Sequence, residues 1–287
     1  MKVKTAVLPV AGMGTRFLPV TKASPKEMLP IIDRPLIQYI VDEAVASGIK
    51  KIIFVTSFTK RAIEDYFDSN FELETRLLDR GKLELLRQVK CLLPPDVSIM
   101  YVRQPEPRGL GHAVLCAQSA VGSEPFAVLL ADDIIESTKP CLKGMIEQFY
   151  ATKGSVLAVE SVQSERLSQY GVVGLTEDGS RICQMVEKPS IEQAPSNMGV
   201  IGRYVLTPRI FDHLKTIPAG AGGEIQLTDA ICRLLSEETV SPYRFDGLRF
   251  DCGSKEGFLR ATLAYASKDP ALLPVLKESL NSILQQA

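Results

Sequence analysis

The sequence predicts a doubly wound α/β fold, followed by a β-rich half and C-terminal helices. Two observations support this prediction. Over the first 150 residues, short apolar runs such as residues 3–10 and 51–56 alternate with amphipathic segments. Beyond that point the pattern changes to short strands with turn signals between them. Alternating strands and helices predict a parallel sheet, because each helix returns the chain to the same edge.

The first half contains the clearer elements. Residues 3–10 form a compact apolar run that a glycine loop ends, which is typical of a strand. The segment between Pro35 and Gly48 has its apolar residues on one helical face and is bracketed by these two residues. Residues 51–56 are apolar without alternation, as in a strand buried on both faces. The same rhythm predicts helices at 60–67 and 111–120 and strands at 98–103 and 126–130.

The sequence pattern of the second half predicts a mixed sheet plus helices. Strands are predicted at 155–160, 170–175, 182–186 and 200–206, with a hairpin turn at 177–180, and helices at 225–235 and 255–267. We expect one domain over residues 1–287, made of a first half (1–150), a second half (151–267) and a helical tail (268–287). The tail has an apolar stripe that we expect to dock on its own domain, formed by Leu272, Leu276, Leu280, Ile283 and Leu284.

Composition excludes several classes of protein. The 33 Lys and Arg against 34 Asp and Glu leave a net charge of −1, so no global basic field favours nucleic acid or an anionic membrane. The first apolar run is too short for a signal peptide, and no later run approaches the roughly 18–20 apolar residues of a membrane span. The six cysteines include no C-x-x-C pair, which disfavours zinc and indicates reduced thiols in a cytoplasmic protein.

A glycine loop, residues 11–16, directly follows the first predicted strand, where a parallel sheet exposes backbone amides to ligands. Phe17 stands where a dinucleotide fingerprint has its third glycine, and the Lys-Ser/Thr of a Walker loop is absent. A tight turn would explain the two glycines alone. Residues 16–30, however, contain three prolines and three cations, and a triphosphate requires such stiffness and charge where a solvated turn does not.

The run GMGTRFLPVTKASPKEMLP resembles the signature of the sugar-nucleotide pyrophosphorylases, and its PKEMLP form is similar to the bacterial UTP-glucose-1-phosphate uridylyltransferase branch. The resemblance covers about residues 3–267. It continues through RQ at 103–104, RGLGHA at 108–113, VEKP at 186–189, APSN at 194–197, GAGGEIQLTDA at 220–230 and FDCG at 250–253. It implies a Rossmann-like, doubly wound mixed sheet of the nucleotide-diphospho-sugar transferase type, with a sugar-binding second half.

The resemblance also implies roles in nucleotide binding. The loop would wrap the triphosphate through the backbone of Ala11, Gly12, Gly14 and Thr15. Arg16 and Lys26 would supply charge and, with Lys188, form the catalytic set; a surface ion pair is the alternative for either of the first two. Gln104 and Gly109 would bind the pyrimidine base.

Two adjacent carboxylates, Asp132 and Asp133, follow the strand predicted at 126–130 and share the sheet edge with the glycine loop. Acids in a loop are usually solvated, but facing phosphates they could hold Mg²⁺, which prefers oxygen ligands. The resemblance assigns the metal to Asp132, which also contacts the nucleotide, with Asp251 as a second metal-facing aspartate.

The sugar side is predicted by the same resemblance. Glu187 would hold sugar hydroxyls and Lys188 the sugar phosphate. Successive residues of a strand face opposite sides, so both can serve one site only if the strand ends there, as Pro189 indicates. Further sugar-binding positions are Tyr170, Gly171, Asn197, Gly199 and Glu224, although Glu224 could instead be a first-turn acid that complements a helix dipole.

The activity implied is Mg²⁺-assisted in-line transfer, in which UTP and α-D-glucose 1-phosphate give UDP-glucose and pyrophosphate. Three alternatives stay open: the same chemistry with dTTP or another hexose 1-phosphate, a non-catalytic regulatory paralogue, and a nicotinamide-dependent oxidoreductase. Arg16, Lys26, Asp132 and Lys188 disfavour the paralogue, and Phe17 disfavours the oxidoreductase. Relatives form dimers or tetramers, so a homodimer or homotetramer is expected.

Overall fold

The structure, a computed structural model, describes residues 2–220 and 223–286. A parallel sheet forms its centre. β1 (Thr5–Pro9), β4 (Lys51–Thr56), β5 (Ser98–Arg103) and β6 (Phe126–Leu129) run parallel in the order β6-β1-β4-β5. The four strands predicted in this half are confirmed, and the parallel order places their carboxyl ends along one edge.

The second half extends the same sheet with antiparallel strands. β11 (Met198–Leu206) pairs antiparallel with β6, with β8 (Ser155–Ser161) and with β9 (Gly171–Leu175). β9 forms a hairpin with β10 (Ile182–Glu187), and β12 (Val240–Arg244) runs parallel to β8. The predicted turn is confirmed: Gly179 there has a φ of 68°, which glycine adopts without strain. The fold is therefore the predicted doubly wound mixed sheet.

Helices cover both faces of the sheet. Alternate residues of β1 point to opposite cores: Ala6 and Leu8 pack with α1 (Leu36–Ala46), and Val7 packs with α5 (Leu110–Cys116). The remaining helices are α2 (Arg61–Phe67), α3 (Phe71–Asp79), α4 (Leu83–Lys90), α6 (Gln118–Val121), α7 (Cys141–Thr152), α8 (Ile210–Thr216), α9 (Leu227–Leu234), α10 (Lys255–Ala266) and α11 (Leu273–Gln286). Across residues 2–220 and 223–286, no helix combines the length and apolar character needed to span a membrane.

Two small sheets complete the fold. β2 (Pro30–Ile31) pairs with β3 (Arg34–Pro35) just before α1. β7 (Asp133–Glu136) pairs antiparallel with β13 (Leu248–Asp251), with Asp133 opposite Asp251. This second pair brings residues more than a hundred positions apart to the carboxyl edge of the parallel strands.

Three expectations about elements need correction. The helix predicted at 111–120 is divided into α5 and α6 at Ala117. Helices α3, α4, α7 and α8 were not predicted. The tail does not dock along its whole length: Leu272 and Leu276 are half-buried, but Leu280, Ile283 and Leu284 are exposed because the later turns leave the domain surface.

Candidate active site

A cleft of about 930 Å³ lies between the carboxyl edge of the parallel strands and the second half. Most of the predicted site residues line it: Ala11, Gly12, Arg16, Lys26, Gln104, Gly109, Asp132, Tyr170, Gly171, Glu187, Lys188, Glu224 and Asp251. Polar and charged groups from seven separate stretches of the sequence, between Arg16 and Asp251, thus converge on one space. Ala221 and Gly222 of the 220–230 motif lie outside the described residues.

The conformation of the glycine loop is fixed at Gly14. Gly14 has a φ of 66°, and the Thr21 hydroxyl donates to its carbonyl at 2.8 Å. A side chain at Gly14 would also press on Lys26, because a Cβ there would lie 3.2 Å from that residue's Cβ. Gly14 and Thr15 are not among the residues that line the cleft. Their contact with the triphosphate stays a prediction.

Lys26 and Asp132 form an ion pair at the floor of the cleft, with 2.6 Å between Nζ and Oδ2. Burial opposes the charge of both groups, but their mutual attraction outweighs it, so the pKa of Asp132 is lowered and that of Lys26 raised. Both groups therefore stay charged. Lys26 is thus the cation that neutralises Asp132 in this structure.

Both carboxylate oxygens of Asp133 are bound by other groups of the protein. The amide of Gly202 donates to its Oδ2 at 2.9 Å, and Arg249 donates to its Oδ1 from Nε at 2.7 Å. The side chains of Asp133 and Arg249 are 9% and 6% exposed, so this ion pair belongs to the interior. Because both oxygens of Asp133 are already bound, Asp132 is the member of the pair with capacity for a ligand.

Arg203, which sequence reasoning missed, holds the loop that carries Asp132. Its guanidinium is fully buried and donates to the carbonyls of Leu130 at 3.2 Å and Asp133 at 2.6 Å, on either side of Asp132. Glu43 balances its charge through two hydrogen bonds of 2.9 and 2.7 Å. A single arginine within the apolar run of β11 was the available signal, since a buried charge requires a partner.

Asp251 faces Asp132 across Gly253. A Cβ at Gly253 would lie 2.8 Å from Oδ2 of Asp132, 3.0 Å from Oδ1 of Asp251 and 3.1 Å from Nη1 of Arg16, so all three groups converge there. Burial, and then the negative charges of Asp133 and Asp132, raise the pKa of Asp251. A carboxylate destabilised by neighbouring acids is a suitable partner for a divalent cation.

The residues present fit a hard cation that completes its coordination with a substrate. Within the described ranges, no group of three or more His, Cys, Asp or Glu side chains could enclose a metal. Mg²⁺ is commonly bound by one or two carboxylates together with substrate phosphates. The pair of Asp132 and Asp251 supplies two such carboxylates.

The sugar side depends on the end of β10. This strand ends at Glu187, and Lys188 has a left-handed backbone with a φ of 46°. Its amide donates to the carbonyl of Tyr170 at 2.9 Å. The change of backbone direction allows Glu187 and Lys188 to line the same cleft, although successive strand residues normally face opposite sides.

Glu187 is oriented by Thr228, a residue missed at the level of sequence. The Thr228 hydroxyl donates to Oε2 of Glu187 at 2.6 Å. Gly171 lies beside them, and a Cβ there would be 3.3 Å from each of these two oxygens. Glycine at this position therefore leaves room for a ligand against Glu187.

Glu224 lies in the cleft and not in a helix. Helix α9 begins at Leu227, and Asp229 is the acid in its first turn. The dipole explanation for Glu224 is therefore wrong. Gln226 donates to its carboxylate at 3.2 Å, and a Cβ at Gly109 would meet the Cβ of Glu224 at 2.8 Å, so glycine is required for this close approach.

Two predicted sugar residues, Asn197 and Gly199, are not among those that line the cleft. Asn197 is exposed, and its amide donates to Ser161 Oγ at 2.9 Å. A Cβ at Gly199 would meet Val162 at 2.6 Å, so this glycine packs closely against Val162. Neither lines the cleft; the neighbouring Val200 does, because β11 presents alternate residues to its two faces.

Comparison with known proteins shows the family to which the chain belongs. The sequence model of the nucleotidyl transferase family matches residues 5–268, and the chain belongs to this family. The UTP–glucose-1-phosphate uridylyltransferase of Staphylococcus epidermidis is 51% identical over 286 residues, which cover 98% of this chain and 99% of that protein.

Two solved structures are similar over nearly their whole length. The UTP-bound UGPase from Acinetobacter baumannii is 46% identical with a TM-score of 0.90, covering 97% of this chain and 98% of that one. A UDP-glucose pyrophosphorylase complexed with UDP-glucose is 44% identical with a TM-score of 0.83, covering 93% of this chain and 100% of that one. The predicted family and fold are confirmed.

Proposed function

We propose that this chain transfers the uridylyl group of UTP to α-D-glucose 1-phosphate, giving UDP-glucose and pyrophosphate. The name of the Staphylococcus relative and the bound UTP and UDP-glucose of the two similar structures support this reaction. The observation that carries it in the chain itself is the arrangement of the cleft. Arg16 and Lys26 lie on the nucleotide half and Lys188 on the sugar half, with Asp132 and Asp251 among them.

The reaction needs no covalent intermediate with the protein. A phosphate oxygen of the sugar phosphate attacks the α-phosphorus of UTP, and the bond from that phosphorus to the bridging oxygen of the β-phosphate breaks. Pyrophosphate leaves with the electron pair. Because nucleophile and leaving group are both anions, catalysis consists of holding them in line and offsetting their charge.

Each cation has a separate task in this arrangement. Arg16 is positioned by its Nη1, which donates to the carbonyl of Gly253 at 3.0 Å, and would bind the triphosphate together with Lys26. Lys188, with a side chain that is 57% exposed, reaches into the cleft from the other half to bind the sugar phosphate. Glu187, held by Thr228, would accept hydrogen bonds from sugar hydroxyls.

We propose Mg²⁺ as the divalent cation, held by Asp132 and Asp251. The chemistry it supplies when bound is neutralisation of phosphate charge beside the reacting phosphorus. Lys26, which pairs with Asp132 in this structure, would direct its charge to the triphosphate if Asp132 held a cation.

Pyrophosphate release tests the function. The purified chain is incubated with each pairing of UTP, dTTP, CTP or ATP with glucose, galactose or mannose 1-phosphate, with Mg²⁺ and again after chelation. We expect the highest kcat/KM with UTP and glucose 1-phosphate, and loss of turnover without the cation. Asp132→Asn, purified in the same way, is the control for contaminating activity. Preference for dTTP would replace the uridylyl assignment, and no turnover with any pair would support a regulatory paralogue.

The homodimer or homotetramer and the cytoplasmic location stay predictions. Light scattering of the purified chain at several concentrations tests the first, and fractionation of cells that express it tests the second.

A further inference from the structure

The side-chain amide of Gln104 is held in one orientation by two acceptors. Its Nε2 donates to the carbonyl of Gly109 at 3.1 Å and lies 3.1 Å from Nδ1 of His112. A carbonyl oxygen can only accept, so the nitrogen of the amide, and not its oxygen, must face Gly109. Gln104 is 8% exposed and lines the cleft.

This arrangement fixes the tautomer of His112. The second hydrogen of the Gln104 amide points to Nδ1, which must carry a lone pair to accept it, so the proton of the neutral ring is on Nε2. Nε2 lies 3.8 Å from Sγ of Cys116, one turn further along α5, where a sulfur can accept weakly. Nδ1 thus faces a donor, and the protonated Nε2 faces a weak acceptor.

The consequence concerns Oε1 of Gln104. Both amide hydrogens are used by Gly109 and His112, and within residues 2–220 and 223–286 no protein donor is paired with Oε1. The group that Gln104 offers to the cleft is therefore an acceptor. Uracil presents a donor at N3, whereas cytosine presents a lone pair there at neutral pH, which would oppose the lone pairs of Oε1.

We propose that His112 is a positioning residue that locks the Gln104 amide with its oxygen toward the base, so that the cleft selects a pyrimidine with N3–H over one with an unprotonated N3. This inference rests on the proposed function, in which Gln104 contacts the base. His112 acts without touching the nucleotide: together with the carbonyl of Gly109, it disfavours the alternative in which the amide turns over and offers N–H to cytosine.

Two substitutions of similar shape separate the hydrogen bond from packing. Asparagine at position 112 keeps a branched side chain with an acceptor oxygen near the place of Nδ1, whereas leucine keeps the branch and removes the acceptor. The full-length chain and the variants His112→Asn and His112→Leu are assayed with UTP, dTTP and CTP at saturating glucose 1-phosphate. The binding of UTP and CTP is measured in parallel by calorimetry, without turnover.

For His112→Leu we expect the UTP-to-CTP ratio of kcat/KM to fall on the order of tenfold, the scale of losing one hydrogen bond in a desolvated site. The loss should lie in KM and in the dissociation constant for UTP, with little change in kcat. His112→Asn should keep the ratio within about twofold of the unmodified chain. dTTP has the same N3–H and should follow UTP in every variant.

Two results would overturn the proposal: an unchanged ratio in His112→Leu, or an equal fall in His112→Asn, which would assign the effect to packing. If His112→Leu does not fold, His112→Ala takes its place in the same comparison. Failure of the unmodified chain to use UTP would refute the proposed function itself, and is thereby distinct from a wrong role for His112.

Discussion

Removing one charge at a time from Asp132 and Asp133 should damage the protein in two different ways. Asp132→Asn keeps the size of the side chain but removes the charge that faces Lys26 and the proposed metal position. Asp133→Asn removes the charge that binds Arg249 in the interior. The two residues are adjacent, so the comparison tests which carboxylate serves the reaction and which serves the fold.

The structure gives the scale of each effect. Asp132 is 20% exposed and its amide replacement can still accept from Lys26, so Asp132→Asn should lower the free energy of unfolding less than Asp133→Asn does. Turnover should fall by about 10² or more, which corresponds to about 2.7 kcal/mol of transition-state stabilisation. The concentration of Mg²⁺ needed for half-maximal rate should rise steeply.

Asp133→Asn should have the opposite profile. The pair it forms with Arg249 is nearly inaccessible to solvent, at 9% and 6% exposure, and breaking a buried pair by removing one partner costs about 3–5 kcal/mol. We expect the unfolding midpoint to fall by roughly 10 °C. The Mg²⁺ requirement of the protein that remains folded should change much less than in Asp132→Asn.

The assay is pyrophosphate release as a function of Mg²⁺ concentration, at a temperature where both variants are folded, with thermal unfolding measured on the same preparations. If Asp133→Asn raises the Mg²⁺ requirement and Asp132→Asn is kinetically near normal, the metal assignment is wrong by one residue.

Three further variants test other parts of the cleft. Lys188→Ala should lose more activity at subsaturating sugar phosphate than at subsaturating UTP; an equal loss along both concentration axes would assign Lys188 to the triphosphate. Gln104→Ala should weaken discrimination among bases in the pyrophosphate assay, and an unchanged preference would remove it from the base site. Arg203→Lys keeps the charge but has one nitrogen, which cannot occupy the positions of both Nη1 and Nη2. Its Mg²⁺ requirement should therefore rise above that of Val205→Ala, a destabilised control on the same strand; equal values would refute the role of Arg203.

Apolar continuity made the central strands predictable. The runs at β1 and β4 are buried on both faces, and such runs have few alternative structures. Helices α3 and α4 were missed although their apolar residues are concentrated on one face. Neither helix contributes a fully buried residue, and Phe71 is 80% exposed and Leu83 is 52% exposed, so both helices lie outside the core that the apolar runs indicated.

The residues of the candidate site were also predictable only where the signal is local in sequence. The glycine loop and the acids after β6 are local in sequence, so their spacing and the family resemblance placed them in the cleft. The partners that hold them are distant: Arg203 and Glu43 are 160 positions apart, and no local pattern reports such a contact. The motif around Asn197 and Gly199 indicated the strand that borders the cleft but not that Val200 and Gly202 are the residues of β11 that line it.

Arg249 explains how the two halves of the cleft can be held at a fixed separation. It binds the carboxylate of Asp133, next to the proposed metal ligand, and its Nη1 donates to Tyr170 Oη at 3.3 Å on the sugar half. Its guanidinium also lies over the Tyr170 ring, 5.2 Å from the centroid. Direct transfer between two bound anions tolerates little change in their distance or alignment. Because this side chain is buried and bonded to both halves, we infer that the separation of the proposed phosphate and sugar sites is set by the folded protein before either substrate binds.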